Sequence, residues 1–210
     1  MSDGVLIRAV DCPEVTWKNG GGTTREIASF PAGAGMDDFD WRVSAARVDT
    51  PGAFSHFPGI DRTIAILSGR LQLEVADRDA ITLVEGGGAY DFAGDVAAFG
   101  TPVASPVLDL NLMVRRERGV GAIYAVRAGL IPAITAGTIL LATRDMVLRI
   151  GSRAIRMQIH DAFRFAATPD EHLIVDAPAL ALSVALHGTR QATNIATIAE
   201  TGQDGLSVRQ

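Results

Sequence analysis

The chain has 210 residues, of which 48% are hydrophobic and 20% are charged, and its net charge is -5. This length and apolar content suit one large domain or two small, tightly fused ones with a continuous core. An acidic chain without a lysine and arginine cluster lacks the basic footprint that phosphate binding needs, which argues against nucleic acid as a partner. A small molecule or a protein fits better.

Cysteine content and hydropathy limit the kinds of site and the cellular location that the sequence allows. The single cysteine, Cys12, rules out an intramolecular disulfide and a Cys-x-x-Cys metal site. The first residues, with Asp3 and Arg8, show no apolar signal-peptide segment. The longest uncharged stretch, residues 128–143, contains a proline and a glycine and is shorter than the ~20 apolar residues of a membrane helix. We therefore expect a cytoplasmic protein that does not enter a membrane.

Short extended segments follow one another along the chain, separated by turn residues, and helical periodicity is almost absent. The strict apolar and polar alternation of residues 71–75, after the Ser68-Gly69 turn, predicts a hairpin with residues 63–67. In chain order, strands are predicted at residues 5–10, 24–30, 41–48, 63–67, 71–75, 81–84, 108–114, 122–126, 138–142, 146–150, 154–159, 163–167, 180–186 and 193–199.

Such strands bury their apolar faces only against another sheet, so the pattern predicts an all-β sandwich or barrel. Roughly a dozen strands are more than one small barrel uses. We therefore predict two related β-sandwich halves that meet near the charged residues 116–121. The first half covers residues 1–118 and the second covers residues 119–210.

The first candidate for a ligand-binding site is the run Trp17-Lys18-Asn19-Gly20-Gly21-Gly22-Thr23. Three consecutive glycines indicate unusual backbone angles or a close approach of the backbone to another group. Their amides, with Lys18 beside them, can cup an anion. The alternative is a bulge or plain turn with Trp17 in the core. No phosphate-loop order of residues is present.

Polar residues at alternate positions mark two further strands. Arg42 and Ser44 share one face of the strand at 41–48, which suits a carboxylate if that face lines a barrel, whereas a solvated edge is the alternative. Asp109 and Asn111 share one face of the strand at 108–114. Because buried polar groups are costly unless they are satisfied, we expect them to line a wet cavity or to pair with the arginines Arg42 and Arg62.

The loop at residues 52–62 holds His56, the only histidine of the first half, between Phe54 and Phe57. A lone histidine is more often structural than catalytic, but the flanking aromatics can make it the lip of a pocket. Arg62 ends this loop and can instead pair with Asp61 or Asp109.

These clusters, in this order, resemble the HutD/Ves family of the cupin superfamily, which is associated with histidine utilisation in bacteria. The resemblance rests on residues 17–23, 41–44, 52–62, 92–95 and 109–116. It implies a cupin-type double-stranded β-helix in a bicupin arrangement. It also implies a role in regulating histidine breakdown by binding an intermediate such as urocanate or formiminoglutamate. Both are carboxylates, in agreement with the cations Lys18, Arg42 and Arg62.

A cupin metal site needs a His-x-His pair with a nearby carboxylate and a later histidine. The four histidines of this chain include no such pair. We therefore expect neither a metal nor another cofactor.

Two hypotheses about function follow, and whether the protein is an enzyme stays uncertain. In the first, a regulatory protein binds a small carboxylate through the residues Trp17, Lys18, Asn19, Gly21, Arg42, Ser44, His56, Arg62, Asp109 and Asn111. In the second, a metal-independent isomerase, lyase or hydrolase acts on a small acid, with His56 or Asp109 as the catalytic base. Exposed sheet edges also lead us to expect a homodimer.

Overall fold

The computed structural model describes residues 3–104, 106–131 and 134–187. Within them the regular structure consists of nineteen strands and one 3-10 helix at Ala9–Asp11. The strand predicted at 193–199 lies outside the described residues. The search for membrane spans, over the same residues, found no helix that is both long and apolar enough to cross a bilayer.

Eleven strands precede the turn at residues 116–118. They are β1 (Gly4–Ile7), β2 (Glu14–Thr16), β3 (Gly22–Phe30), β4 (Trp41–Val48), β5 (Gly52–Ala53), β6 (Ile60–Ser68), β7 (Arg70–Val75), β8 (Ile81–Val84), β9 (Ala89–Ala93), β10 (Ala98–Pro102) and β11 (Val107–Arg115). Eight follow that turn: β12 (Gly119–Val126), β13 (Gly129–Ile131), β14 (Ile139–Ala142), β15 (Met146–Ile150), β16 (Arg153–Met157), β17 (Ala162–Phe165), β18 (Leu173–Val175) and β19 (Ala179–Leu186).

The strands form four sheets, and all paired strands within them are antiparallel. Sheet I has the order β2-β3-β4-β11-β6-β9, and sheet II has the order β5-β10-β7-β8. Sheet III has the order β1-β17-β14-β19-β12, and sheet IV has the order β13-β18-β15-β16. The all-β prediction is confirmed.

Three large apolar clusters hold these sheets together. One lies between sheets I and II and contains Ile64 and Leu73, and a second lies between sheets III and IV and contains Leu140 and Leu148. The third joins sheets I and III, where Leu112 packs in the same cluster as other buried side chains of β4, β6, β14 and β19. The molecule therefore has the layer order II, I, III, IV, with burial of apolar surface as its main stabilising term.

The predicted hairpin of residues 63–67 and 71–75 is wrong, although both strands exist. β6 pairs with β11 and β9 in sheet I, whereas β7 pairs with β10 and β8 in sheet II. Gly69, with a φ of +89°, carries the chain from one sheet to the other. Residues 63–67 are buried throughout, because this strand is central in its sheet. A Ser-Gly pair serves such a corner as well as it serves a hairpin turn.

The predicted halves, 1–118 and 119–210, stay a prediction. Sheets I and II contain only strands from residues 14–115. The first strand, however, lies in sheet III, where Gly4 pairs with Phe165. Asp161 strengthens this attachment, since its buried carboxylate accepts hydrogen bonds from the Ala9 amide at 2.9 Å and the Arg8 guanidinium at 2.7 Å.

Candidate functional site

The polar residues of interest converge on the face of sheet I that packs against sheet II. Cross-strand pairs place Arg42, Met113 and Arg62 in one row, and Ser44 and Asn111 in the next. Neighbouring strands present paired residues on the same face, and Phe92 and Ile64, which pair with the same rows, belong to the core between sheets I and II. The sequence prediction that these polar groups share one interior face agrees with this register.

Arg62 is the cation of this face that lies deepest. It is 4% exposed, and its guanidinium carbon lies 4.8, 5.0 and 5.7 Å from the ring centres of Phe54, Phe92 and Phe57. The rings stabilise the cation and hold its plane. Its Nε has no hydrogen-bond partner among the described residues. Burial lowers the pKa of Arg62 to about 10, and Asp109 opposes that shift.

Asp109 and Asn111 bring acceptors to the same wall. Asp109 is 1% exposed, and neither of its carboxyl oxygens has a hydrogen-bond partner in the described part of the chain. Burial raises the pKa of Asp109 to about 7, against the attraction of Arg62. The side-chain oxygen of Asn111 is also buried without a partner. Such groups are nearly always paired in folded proteins, either with other groups of the chain or with water or a ligand, which makes this wall the candidate site.

Arg42 differs from Arg62 in having a carboxylate partner of its own. Its Nε donates to Glu26 at 2.8 Å, and its Nη1 donates to the Ser44 hydroxyl at 3.3 Å. Ser29 donates to the other oxygen of Glu26 at 2.9 Å. Arg42 therefore supports the wall of the pocket with its charge already balanced.

The glycine loop closes on itself. The Gly20 amide donates to the Trp17 carbonyl and the Gly21 amide donates to the Asn19 side chain, each at 3.0 Å. The expected anion nest therefore has no free amide at these two glycines. Gly22 leaves no room for a side chain, because a Cβ there would collide with the backbone of Arg47. Lys18 and Asn19 are exposed.

Trp17 belongs to the wall of the first sandwich. Its indole donates to the Thr24 hydroxyl at 2.7 Å, and its ring packs against the core between sheets I and II. These contacts match the alternative interpretation of the run, a tight turn with Trp17 packed against the core, whereas an anion site at the run stays a prediction.

The loop at residues 52–62 has some side chains that are packed against Arg62 and others that are exposed to solvent. Phe54 and Phe57 lie on Arg62, whereas His56 is exposed and its Nε2 donates to the Asp95 carbonyl at 3.0 Å. Hydrogen bonds from the Arg116 side chain and the Gly59 amide lower the pKa of the Asp95 carboxyl. No hydrogen bond or ion pair is found between His56 and Asp109 within the described residues, whereas Phe54 and Phe57 cover the Arg62 guanidinium.

Sequence reasoning did not assign Glu26 or Phe92 to the site, although residues 92–95 are among those that carry the family resemblance. Glu26 escaped because a bulge in β3, between Glu26 and Ala28, breaks the simple alternation that assigns side chains to faces. Phe92 lies on a strand, β9, that was not predicted. The neighbouring Gly86-Gly87-Gly88 turn was a usable signal for that strand.

A second cleft of about 200 Å3 lies on the opposite face of β3 and β4, lined in part by Cys12, Arg25, Arg47 and His160. Its two arginines already have carboxylate partners: Arg25 pairs with Glu14, and Arg47 pairs with Asp49. Its polar groups are therefore satisfied in a way that those around Arg62 are not.

A divalent metal, which many cupins carry, does not fit the donor set. No group of three or more histidine, cysteine, aspartate or glutamate residues is arranged to hold one within the residues that the structure describes. The polar wall offers one carboxyl, one amide and a guanidinium, and a guanidinium repels a cation.

This architecture defines the class, an all-β cupin-type protein with a cluster of buried polar side chains between two of its sheets. A cupin 2 conserved barrel domain protein from Leptotrichia buccalis superposes with a TM-score of 0.54 at 10% identity, over 82% of this chain and 92% of that one. The chain belongs to the HutD family, whose model matches residues 9–188. The HutD/Ves resemblance seen in the sequence is thereby confirmed.

Individual relatives agree with this family assignment. HutD from Pseudomonas fluorescens SBW25, solved in a formate condition, superposes with a TM-score of 0.75 at 28% identity, over 88% of this chain and 99% of that one. An uncharacterized 21.2 kDa protein of the hutC 3' region of Pseudomonas putida is 35% identical over 118 residues, 56% of this chain. Protein Ves of Citrobacter koseri is 40% identical over 108 residues, 50% of this chain. The chain spans only 62% and 55% of the lengths of these last two proteins.

Proposed function

We propose that this protein is a regulatory protein of histidine utilisation that binds a small carboxylate, such as urocanate or formiminoglutamate, in the metal-free pocket around Arg62. The observation that carries the proposal is the buried wall of Arg62, Asp109 and Asn111, where the Arg62 Nε, both Asp109 carboxyl oxygens and the Asn111 side-chain oxygen lack partners in the described chain. A carboxylate would meet the guanidinium, and N–H groups of the same ligand would meet the acceptor oxygens.

The names of relatives support the histidine pathway as the source of this ligand. One relative lies in the hutC 3' region, and a structural relative is itself called HutD. Urocanate and formiminoglutamate each combine a carboxylate with nitrogen donors, so both suit a wall of one cation and several acceptors. The predicted contributions of Lys18, His56 and the glycine loop remain part of this proposal.

Calorimetry with urocanate, histidine and formiminoglutamate tests the proposal, together with the variant Arg62→Met. Methionine keeps an apolar chain between the three rings and removes the charge, so we expect binding to weaken at least tenfold, since a buried charge pair contributes about 1.5–3 kcal/mol. Arg78→Met is the matched control, because Arg78 stacks on Tyr90 at the surface. No heat with any of the three compounds, or unchanged binding by Arg62→Met, would contradict the proposal.

A second candidate function rests on Asp109 alone. A buried carboxyl whose pKa burial raises to about 7 can act as a general acid or base near neutral pH. A metal-independent enzyme acting on a small acid would use it in this way. Mass spectrometry of the same three compounds after incubation with the protein, and with Asp109→Asn, decides between binding alone and turnover.

A further inference from the structure

The charge balance of the pocket has a consequence for how it binds an anion. The charged or titratable side chains on the interior face of sheet I, in the described residues, are Glu26, Arg42, Arg62, Tyr90, Asp109 and Arg115. Arg115 lies at the end of its strand and donates to the Phe39 and Asp37 carbonyls. Glu26 and Arg42 neutralise each other as an ion pair at 2.8 Å. Arg62 and Asp109 are left as the two buried groups whose charges respond to a ligand.

On the opposite wall, no described side chain compensates these charges. The interior side chains of sheet II are hydrocarbon, namely Leu71, Leu73, Val75 and Leu83. His56, on the loop that carries Phe54 and Phe57, points its Nε2 at the Asp95 carbonyl and is exposed. In this apolar setting Arg62 is the one side chain whose field lowers the pKa of Asp109. The field of a bound anion would therefore be felt strongly at the Asp109 carboxyl.

Arg62 and Asp109 are not a closed ion pair. Their fields act on each other, yet both carboxyl oxygens of Asp109 and the Nε of Arg62 lack hydrogen bonds from the described residues. A ligand carboxylate that binds Arg62 would place a second negative charge beside an ionised Asp109. Two buried anions facing one cation are unfavourable, whereas one anion facing one cation is balanced.

Building on the proposed function, we infer that the pocket binds a carboxylate together with one proton, and that Asp109 is the group that holds this proton. The proton comes from the solvent and forms an O–H bond on the Asp109 carboxyl. Asp109 then becomes a hydrogen-bond donor, and the unpartnered Asn111 oxygen two residues along the same strand face, or the ligand carboxylate itself, accepts. With one proton on Asp109, the charge of Arg62 balances the charge of the ligand carboxylate. The same proton gives the Asp109 carboxyl a hydrogen bond to donate.

The same balance limits the ligand to one buried carboxylate. Arg42 is committed to Glu26, and Arg115, which is only partly buried, donates to backbone carbonyls. Arg62 is therefore the buried cation of this face that has no carboxylate partner among the described residues. A second buried carboxylate would need a second proton. The ligand class that follows is the monocarboxylates, such as urocanate, with further polar groups of the ligand supplying N–H donors. The dicarboxylate formiminoglutamate would fit only with its second carboxylate outside the buried wall or protonated.

The experiment is calorimetry of urocanate binding between pH 7 and 9, where its imidazole is neutral and its carboxylate ionised. Each pH is run in two buffers that differ in ionisation enthalpy, which counts the protons taken up. We expect uptake of close to one proton at pH 8 and above. Since an ionised Asp109 must first be protonated, Kd should rise up to tenfold for each pH unit above about 7.

Asp109→Asn is the matched variant, because its amide has the shape of the carboxylic acid, donates a hydrogen bond and does not titrate. Its Kd should be independent of pH, with no proton taken up. Binding of urocanate to the wild-type protein without proton uptake would overturn the inference and leave the proposed function standing. Uptake that persists in Asp109→Asn would also overturn it. Absence of urocanate binding at every pH would count against both.

Discussion

At the scale of single residues, Asp109 should make the protein's stability depend on pH. The folded protein holds a proton on Asp109 up to about pH 7, whereas an unfolded aspartate releases it near its ordinary pKa of 3.8. The stabilising effect of the neutral carboxyl is complete below that ordinary value and is lost as the pH rises through about 7. Asp109→Asn should therefore be more stable than the wild type at pH 8, by roughly 2–4 kcal/mol, and little different at pH 4.

Urea unfolding at pH 4, 6 and 8 measures this difference. Asp95→Asn is a control of opposite sign, because the Arg116 side chain lowers the pKa of the Asp95 carboxyl, and its ionised form therefore stabilises the fold near neutral pH. Asp95→Asn should be less stable than the wild type at pH 8. A constant difference between Asp109→Asn and the wild type over this range would contradict the burial argument.

The sequence pattern predicted which polar side chains of the wall share a strand face. Alternation placed Asp109 with Asn111, and Arg42 with Ser44, because side chains alternate on a strand whatever its partners are. Alternation does not reveal which arginine already has a partner. Arg42 and Arg62 look alike in the sequence, yet Arg42 pairs with Glu26, which lies beside a bulge on the neighbouring strand, and Arg62 lies between three aromatic rings.

At the scale of single elements, the pairing of β5 with β10 supports the position of Arg62. Gly52 and Gly100 are partners in this pairing. A Cβ on Gly100 would lie 2.7 Å from the Phe54 ring that covers Arg62, whereas a Cβ on Gly52 would meet nothing within 4 Å. The absence of a side chain at residue 100 is thus a condition for the aromatic cover.

We expect Gly100→Ala to displace Phe54, to weaken urocanate binding about three- to tenfold, and to destabilise the protein by about 1–3 kcal/mol, the usual cost of overpacking. Gly52→Ala, on the facing strand, should leave both properties near their wild-type values. Calorimetry and thermal unfolding of the two variants provide the comparison. Equal binding by both would mean that Phe54 does not hold Arg62 in place.

Strand positions were easier to predict than strand partners. The predicted bounds of β4, β8 and β15 match the structure, because turn residues flank each of these strands. The short strands β2, β5, β13 and β18, with two or three residues each, escaped because so few residues cannot show a period. The false hairpin shows that local pattern does not determine the sheet that a strand joins, which depends on distant partners.

At the scale of the whole molecule, sheets I and III should be inseparable. Their shared cluster draws Trp41 and Leu110 from one sheet and Leu141, Ala162 and Leu182 from the other. A fragment of residues 1–118 would expose that apolar face and leave β1 without β17. We expect it to aggregate or to remain unfolded, because an exposed face of this kind and unpaired strand edges favour association.

Size-exclusion chromatography and circular dichroism of the 1–118 fragment, beside the full chain, measure this. The full chain should unfold in one transition that is the same by fluorescence and by circular dichroism. A soluble, monomeric fragment with a cooperative transition would show that the first half is an independent unit after all.

The position of β1 also affects how the chain folds during its synthesis on the ribosome. This strand is made well before its partner, because the residues that it pairs with, up to Phe165, are made about 160 residues later. At roughly 5–20 residues per second, β1 waits on the order of ten seconds or more for its neighbour. Until then its apolar side chains, such as Leu6, are accessible to chaperones, so an early segment of the chain depends on a late one for its burial.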